Sequence, residues 1–511
     1  MAAQNASTQK PTFALENKIE EAHLDILQNT RDLEVVRLHL RSERKSLKHQ
    51  IHSLSSLPNE LLSAVFEHGH LLSRSSPPIE IVLSQINRRF RAVAINTRML
   101  WTRIEISLTT PFEKVLSYLQ RSGSFALDLS FNIRINSSPH SGYDLESGAP
   151  LYIYADVQWE TIMSHMTRCR RLSARFDSNS TMVLHHMVTS LRAVNVPLLQ
   201  SLQIESPYEI AHDYEPGVYE HIFTGGAPSL TTVRIEGWGL HFCIPPLTAV
   251  TSLTILSASQ MMLWSDLRDI LSGNLALTCL VVGDVFGEYL PGELESSIIL
   301  PSLRYLRIFV NDRDGTPFID DVLLAISAPA LTCLFIDHVI QADLVNLPES
   351  YPQLRNPNRF PCLRRLIVSL LSGQEVSQPT WITFFNVFPH VTHFSLRSDT
   401  DEVVRSDPFI ALLALSVDGP VSWARPLIPV PELHTLAFHK ISLNAASSLC
   451  DLVSTRAVAG RPLTSLLLPA SILHDETFAD SLDRLQALID VGEYQEDEKQ
   501  VEGTGIWDYR S

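Results

Sequence analysis

Ala276-Leu277-Thr278-Cys279-Leu280 and Ala330-Leu331-Thr332-Cys333-Leu334 are the same pentapeptide met twice, and each is followed by one intervening residue and an aliphatic one, Val282 and Ile336. Working outward, the pattern, often led by Pro or a small residue, becomes Leu-x-x-Leu-x-Ile in general form. It is found as Leu199-Leu202-Ile204, Leu230-Val233-Ile235, Val250-Leu253-Ile255, Leu277-Leu280-Val282 and Leu303-Leu306-Ile308. It continues as Leu331-Leu334-Ile336, Leu363-Leu366-Val368, Val391-Phe394-Leu396, Leu433-Leu436-Phe438 and Leu463-Leu466-Leu468. The copies recur at intervals between about 20 and about 42 residues, near the periods of stacked repeat architectures. Two apolar residues separated by one share a face of a β-strand, so each copy predicts a short parallel strand with its second and third apolar positions inward and the residues between them outward. Segments such as Val322 to Ser327 and Ala446 to Val453 have helical apolar spacing and predict an outer layer. Earlier strands are expected at Leu127-Leu129-Phe131 and near Leu172, with a helix from Trp159 to Cys169 between them and a Ser/Gly/Pro-rich loop from Asn136 to Pro150.

This pattern resembles an irregular leucine-rich-repeat array. The polar ladder residue usual in such arrays is mostly missing, with Asn311 at the equivalent place in one unit and Pro207 in another. The array is expected over 107–490, closed by an amphipathic helix from Asp475 to Val491 whose apolar side carries Phe478, Leu482, Leu485 and Leu488. Residues 491–511 form an acidic tail with Glu493, Glu496, Asp497 and Glu498. Outward strand positions are the candidates for holding a partner: Gln203, Arg234, Tyr305, Arg307, Phe335, Arg365 and His393. Tyr305, Arg307 and Phe335 lead this group, because they lie on neighbouring repeats and aromatic–arginine clusters are enriched in interfaces.

Ahead of the array, residues 1–12 are polar, and 13–54 predict one long helix. Ile19, Ile26, Leu33, Leu40, Leu47 and Leu54 recur every seventh residue, but the companion column from Leu15 to Gln50 decays from apolar to polar. The basic second half of this helix, with Arg31, Arg37, Arg41, Arg44, Lys45 and Lys48, reads as a solvated face. Residues 55–106 predict a small helical module. One helix opens at Ser55-Ser56-Leu57-Pro58-Asn59, where proline is tolerated in a first turn and Ser or Asn can cap it. A second runs from Ile79 to Thr97, and the stretch Glu67 to Pro78 between them reads as a long polar linker.

Leu57-Pro58-x-Glu60-Leu61-Leu62-x-x-Val65-Phe66, then Ile86-Asn87-Arg88-Arg89-Phe90-Arg91 and Leu100-Trp101, resemble the F-box in its F-box-like form common in fungal proteins. Asn87-Arg88-Arg89-Phe90 stands where that family often has Cys-Arg-Arg-Trp. The fold expected is thus α/β, with an N-terminal helix and a three-helix F-box-like module followed by an irregular leucine-rich-repeat solenoid. The resemblance implies a substrate receptor of a cullin-RING ubiquitin ligase, docking a Skp-type adaptor and holding an unknown target protein. A small module needs apolar anchors at a partner's groove, so Leu57, Pro58, Leu61, Leu62, Val65, Phe66, Ile86, Phe90 and Trp101 are the adaptor-binding candidates. The alternative is a repeat scaffold whose degenerate box has no ligase role.

The 511 residues carry 40 Lys+Arg against 56 Asp+Glu, a formal net charge of -16, which disfavours a nucleic-acid partner. At 45% hydrophobic and 19% charged residues the chain is expected to bury a large core. No charged-then-apolar leader and no run of ~18 apolar residues is read, so no membrane association is expected and the location expected is cytoplasmic and/or nuclear. The six cysteines have no metal-ligand spacing and read as buried thiols. No catalytic residue, cofactor or metal is expected. Gly237-Trp238-Gly239 lacks the third glycine of a dinucleotide loop. Ser42-Glu43-Arg44-Lys45 lies on the charged helix, and His68-Gly69-His70 and His185-His186 lack the spacing that aims two imidazoles at one ion, so they read as surface or capping histidines. Asn311-Asp312-Arg313-Asp314-Gly315 lacks the closing glutamate of a calcium loop. A secreted β-helix enzyme is disfavoured by the helices between the strands.

Overall fold

The structure, a computed structural model, describes residues 36–44, 54, 56–72, 77–133, 159–177, 181–206, 221–237, 243–257, 264–283, 298–310, 318–345, 360–371, 376–398, 430–442 and 445–495. They belong to two compact units, the first containing residues up to 102 with 118–125, the second 103–117 and everything from 126 onward.

In the first unit the helix Asn59–Leu72 buries Leu62, Phe66 and His70, one residue per turn on one face. Phe66 meets Phe90 of the helix Arg88–Asn96 edge to face, with ring centroids 5.3 Å apart. The predicted helix from Ile79 to Thr97 is in fact two, Ile79–Ile86 and Arg88–Asn96. Asn87 divides them, because its extended backbone ends the first helix and its side chain caps the second, accepting the Phe90 N–H at 2.8 Å. The predicted linker also shrinks: Glu67 to Leu72 complete the first helix, and His70, expected at the surface, is buried 3.6 Å from Glu80. Tyr118 donates its hydroxyl to Glu80 at 2.9 Å, and the Trp101 indole donates to the Ala94 carbonyl at 2.8 Å. Glu80, Tyr118 and Trp101 thus each have a polar partner within this small core.

The second unit is built on β1 (Arg103–Ser107), β2 (Leu127–Ile133), β3 (Cys169–Phe176), β4 (Ser201–Glu205), β5 (Thr232–Gly237), β6 (Ser252–Ser257) and β7 (Cys279–Gly283). It continues through β8 (Ile298–Ile299), β9 (Tyr305–Phe309), β10 (Ile326–Ser327), β11 (Cys333–Val339), β12 (Arg365–Leu370), β13 (His393–Ser398), β14 (Thr435–Phe438), β15 (Ser465–Leu468) and β16 (Asp490–Glu493). Among the described residues, β8 pairs with β10 and the other fourteen strands form one parallel sheet in chain order. All ten predicted strand copies are present. Their second apolar positions form one row of register partners, Leu202, Val233, Leu253, Leu280, Leu306, Leu334, Leu366, Phe394, Leu436 and Leu466. The row extends back through Leu172 and Leu129 to Ile104, and every residue in it is buried. A parallel sheet in which chain order and spatial order coincide is the topology that stacked repeats require.

A polar ladder does exist, at a position other than the expected one. Thr231, Thr251, Thr278, Thr332, Thr392 and Thr464 stand just ahead of their strands, and each donates its hydroxyl to the carbonyl of the equivalent residue one repeat earlier, at 3.0 to 3.3 Å. The same carbonyls take two amide protons, as Thr251 O does from Thr278 N at 2.9 Å and Cys279 N at 3.0 Å. Threonine suits this site because its branched, strand-compatible side chain carries a donor.

Helices lie in several returns between strands; Ala446–Val458 covers its expected segment, whereas Phe318–Ala325 ends short of the expected Ser327, because Ile326 and Ser327 pair as β10 with β8. The expected helix from Trp159 is confined to 159–163, followed by a tight turn at Met166–Arg168, and Cys169 already opens β3. At the carboxyl end the expected single helix is a turn at Glu476–Phe478 and a helix Ala479–Gln486, after which the chain becomes β16 and pairs with β15. Phe478 and Leu485 are buried as expected, whereas Leu488 is exposed, because an edge strand's hydrogen-bonding groups recruit the next residues into the sheet. Of the long amino-terminal helix, 36–44 are helical with every residue exposed. Residues 1–12 and the rest of that helix except Leu54, the loop Asn136 to Pro150, Pro207, Asn311 to Gly315 and the tail beyond 495 lie outside the described residues.

Candidate functional site

The adaptor-binding candidates separate by burial. Leu62, Phe66, Phe90 and Trp101 are core, Leu57 is half-buried, and Pro58, Leu61, Val65 and Ile86 face solvent. Leu61 and Val65, one helical turn apart, are 52% and 45% exposed, and Val82 and Ile86 on the next helix are 41% and 38% exposed. Adjacent positions on a helix differ by about 100°, so the row Leu61–Val65 lies beside the buried row Leu62–Phe66 rather than within it. Val82 joins this exposed set although it is not among the candidates; the four-residue spacing to Ile86 is its signal in the sequence. The Arg89 guanidinium bonds to the Asn59 side chain at 2.8 and 3.0 Å and to the Leu57 carbonyl, which fixes the entry to the first helix. The non-consensus Asn87-Arg88-Arg89-Phe90 is thereby fully used: a cap, a tether and a core aromatic, with Arg88 exposed.

On the outward face of the sheet, Tyr305 and Arg307 of β9 lie beside Cys333 and Phe335 of β11, as expected. They do not form an open patch. Phe335 is 3% exposed, with the Arg307 guanidinium 4.5 Å and the Arg397 guanidinium 5.4 Å from its ring centre. Arg307 is also ion-paired with the buried Asp337. Strand parity alone does not set exposure here, because Val281, Phe335, Ile367 and Ala437 are buried at outward positions. Tyr305 is half-buried, and burial pushes its phenol well above the ordinary range. Gln203 is buried and Arg234 pairs with Glu236, whose carboxyl is raised by burial against the opposing pull of Arg234. Arg365 is half-buried and His393 exposed.

Nothing in these groups is arranged for bond making. Burial raises the Cys169 thiol and pushes Cys279 up to about 11, the reverse of what a nucleophilic cysteine needs. Among the described residues, no three His, Cys, Asp or Glu side chains stand close enough to hold a metal ion, and no helix is long and apolar enough to cross a membrane.

No protein-family model matches the chain, and no curated protein matches it. Solved structures are similar at low level. A TLR13–ssRNA13 complex aligns at TM-score 0.33 and 15% identity over 60% of this chain and 36% of that one, so the chain spans about a third of that relative. A Bacteroides fragilis protein aligns at 0.31 and 11% identity, over 68% of this chain and 84% of that one. The Rad7 and Elc1 complex in yeast aligns at 0.31 and 13% identity, over 89% of this chain and 97% of that one. None of these likenesses bears on what this chain binds.

Proposed function

We propose that the chain is a non-catalytic substrate receptor of a cullin-RING ubiquitin ligase, in which the F-box-like helical unit docks a Skp-type adaptor and the leucine-rich-repeat-like array holds a target protein. The observation that carries this reading is the exposed apolar set Leu61, Val65, Val82 and Ile86 on a unit that already has a complete core in Leu62, Phe66, Phe90 and Trp101. Exposed aliphatics beside a filled core are not needed for folding, and they have the character of anchors for a partner's groove. Rate enhancement then arises from proximity, since a target held near another subunit's active site reacts at high effective concentration.

Affinity capture of the full chain from cells tests this. Recovery of a Skp-type adaptor together with a cullin supports the receptor. Recovery of neither, under conditions where a consensus F-box protein captures both, refutes it.

A further inference from the structure

The residues just ahead of the strands, and the first strand residues, form an edge of the sheet. From β9 to β15 this edge is basic in a chain whose net charge is -16. Arg304 and Arg364 are exposed at ladder positions, and His434 occupies the same row two strands beyond Arg364. Arg365 and His393 are register partners on β12 and β13, and Arg461 is exposed in the turn that leads into β15. Among the described residues, the acids along this edge are Glu432, which is paired with His390 at 3.1 Å, and Asp490 on the terminal strand. Burial holds the His393 imidazole below its ordinary value, and the neighbouring Arg365 and His434 act in the same direction.

We infer that this edge is a docking strip for an acidic peptide segment, rich in Asp and Glu, of a partner protein. Strands are spaced by about 4.8 Å, so the five steps from β9 to β15 span roughly 24 Å, the length of about seven extended residues. The cations are distributed along that line rather than gathered around one point. Single carboxylates strung along an extended chain match such a row better than one concentrated phosphate. The inference rests on the reading of the array as the part that holds a partner, and it is independent of adaptor docking.

Fluorescence anisotropy of the full chain with labelled octaglutamate, a phosphoserine octapeptide of equal charge and single-stranded octauridylate tests it. Octaglutamate is expected to bind tightest, with affinity falling as salt rises. Arg304→Glu with Arg364→Glu is expected to weaken it at least tenfold, while Arg484→Glu, an exposed charge reversal off the row, changes it less than twofold. Equal affinity in the double variant and the wild type overturns the inference, as does tighter binding of the phosphopeptide or the RNA. Adaptor capture by the same double variant, measured in parallel, separates a failure of this strip from a failure of the receptor reading.

Discussion

Gly237 and Arg456 illustrate how single positions govern the array. Gly237 ends β5 at φ +90°, and a Cβ there would lie 2.0 Å from the Ser206 carbonyl oxygen. Gly237→Ala therefore meets both a left-handed backbone and a main-chain clash, and is expected to lower unfolding free energy by about 3 kcal/mol in urea titration. Arg456 is fully buried in the helix Ala446–Val458, donates to the Val430 carbonyl at 3.0 Å, and is pushed down to about 10 by burial and then Arg461. Truncation leaves a cavity and carbonyls without that donor, so Arg456→Ala is expected to cost about 3 kcal/mol. Arg456→Met keeps the volume without burying a charge and is expected to cost less than half of that. His393 makes stability depend on pH. Its folded value lies below the unfolded 6.5, so the unfolded chain takes the proton more readily, and stability is lost as pH falls below about 6.5. Urea midpoints between pH 7.5 and 5.5 should fall more steeply for the wild type than for His393→Gln.

At the scale of elements, the ladder threonines matter collectively. Each hydroxyl bond contributes about 1 kcal/mol, so Thr278→Val and Thr332→Val together should cost about 2 kcal/mol by equilibrium unfolding, whereas serine at both sites should cost less. Strand positions were legible because two apolar residues flanking one other residue report a buried strand face directly, as Leu306 and Ile308 do. The ladder was written in the same sequence, in Leu277-Thr278-Cys279-Leu280 and Val391-Thr392-His393-Phe394, but a threonine ahead of a strand is ordinary until its carbonyl partner one repeat away is seen. The break at Asn87 was hidden for a related reason. Ile86, Phe90 and Val93 keep helical spacing across it, and periodicity does not register an asparagine that ends one helix and caps the next. β16 takes the end of the expected helix and the start of the expected acidic tail, because the spacing of Leu482, Leu485 and Leu488 and the acidic composition after them carry no sign of an edge strand's demand for pairing, which is a tertiary effect.

For the whole molecule, helical elements ahead of a sequential parallel sheet were legible in the sequence. Which residues of those elements are exposed was not. Leu61 and Leu62 are chemically identical neighbours with opposite fates, decided by a 100° turn of helix, and Phe335 is taken from solvent by two arginines on other strands. We propose that the exposed row Leu61–Val65, and not the core row beside it, grips the adaptor. Calorimetric titration of a purified Skp-type adaptor into the full chain, wild type and Leu61→Asp with Val65→Asp, tests it most directly. The account predicts binding by the wild type and at least a hundredfold loss, about 3 kcal/mol, in a double variant whose thermal midpoint is unchanged. Equal affinity in the two proteins would contradict it.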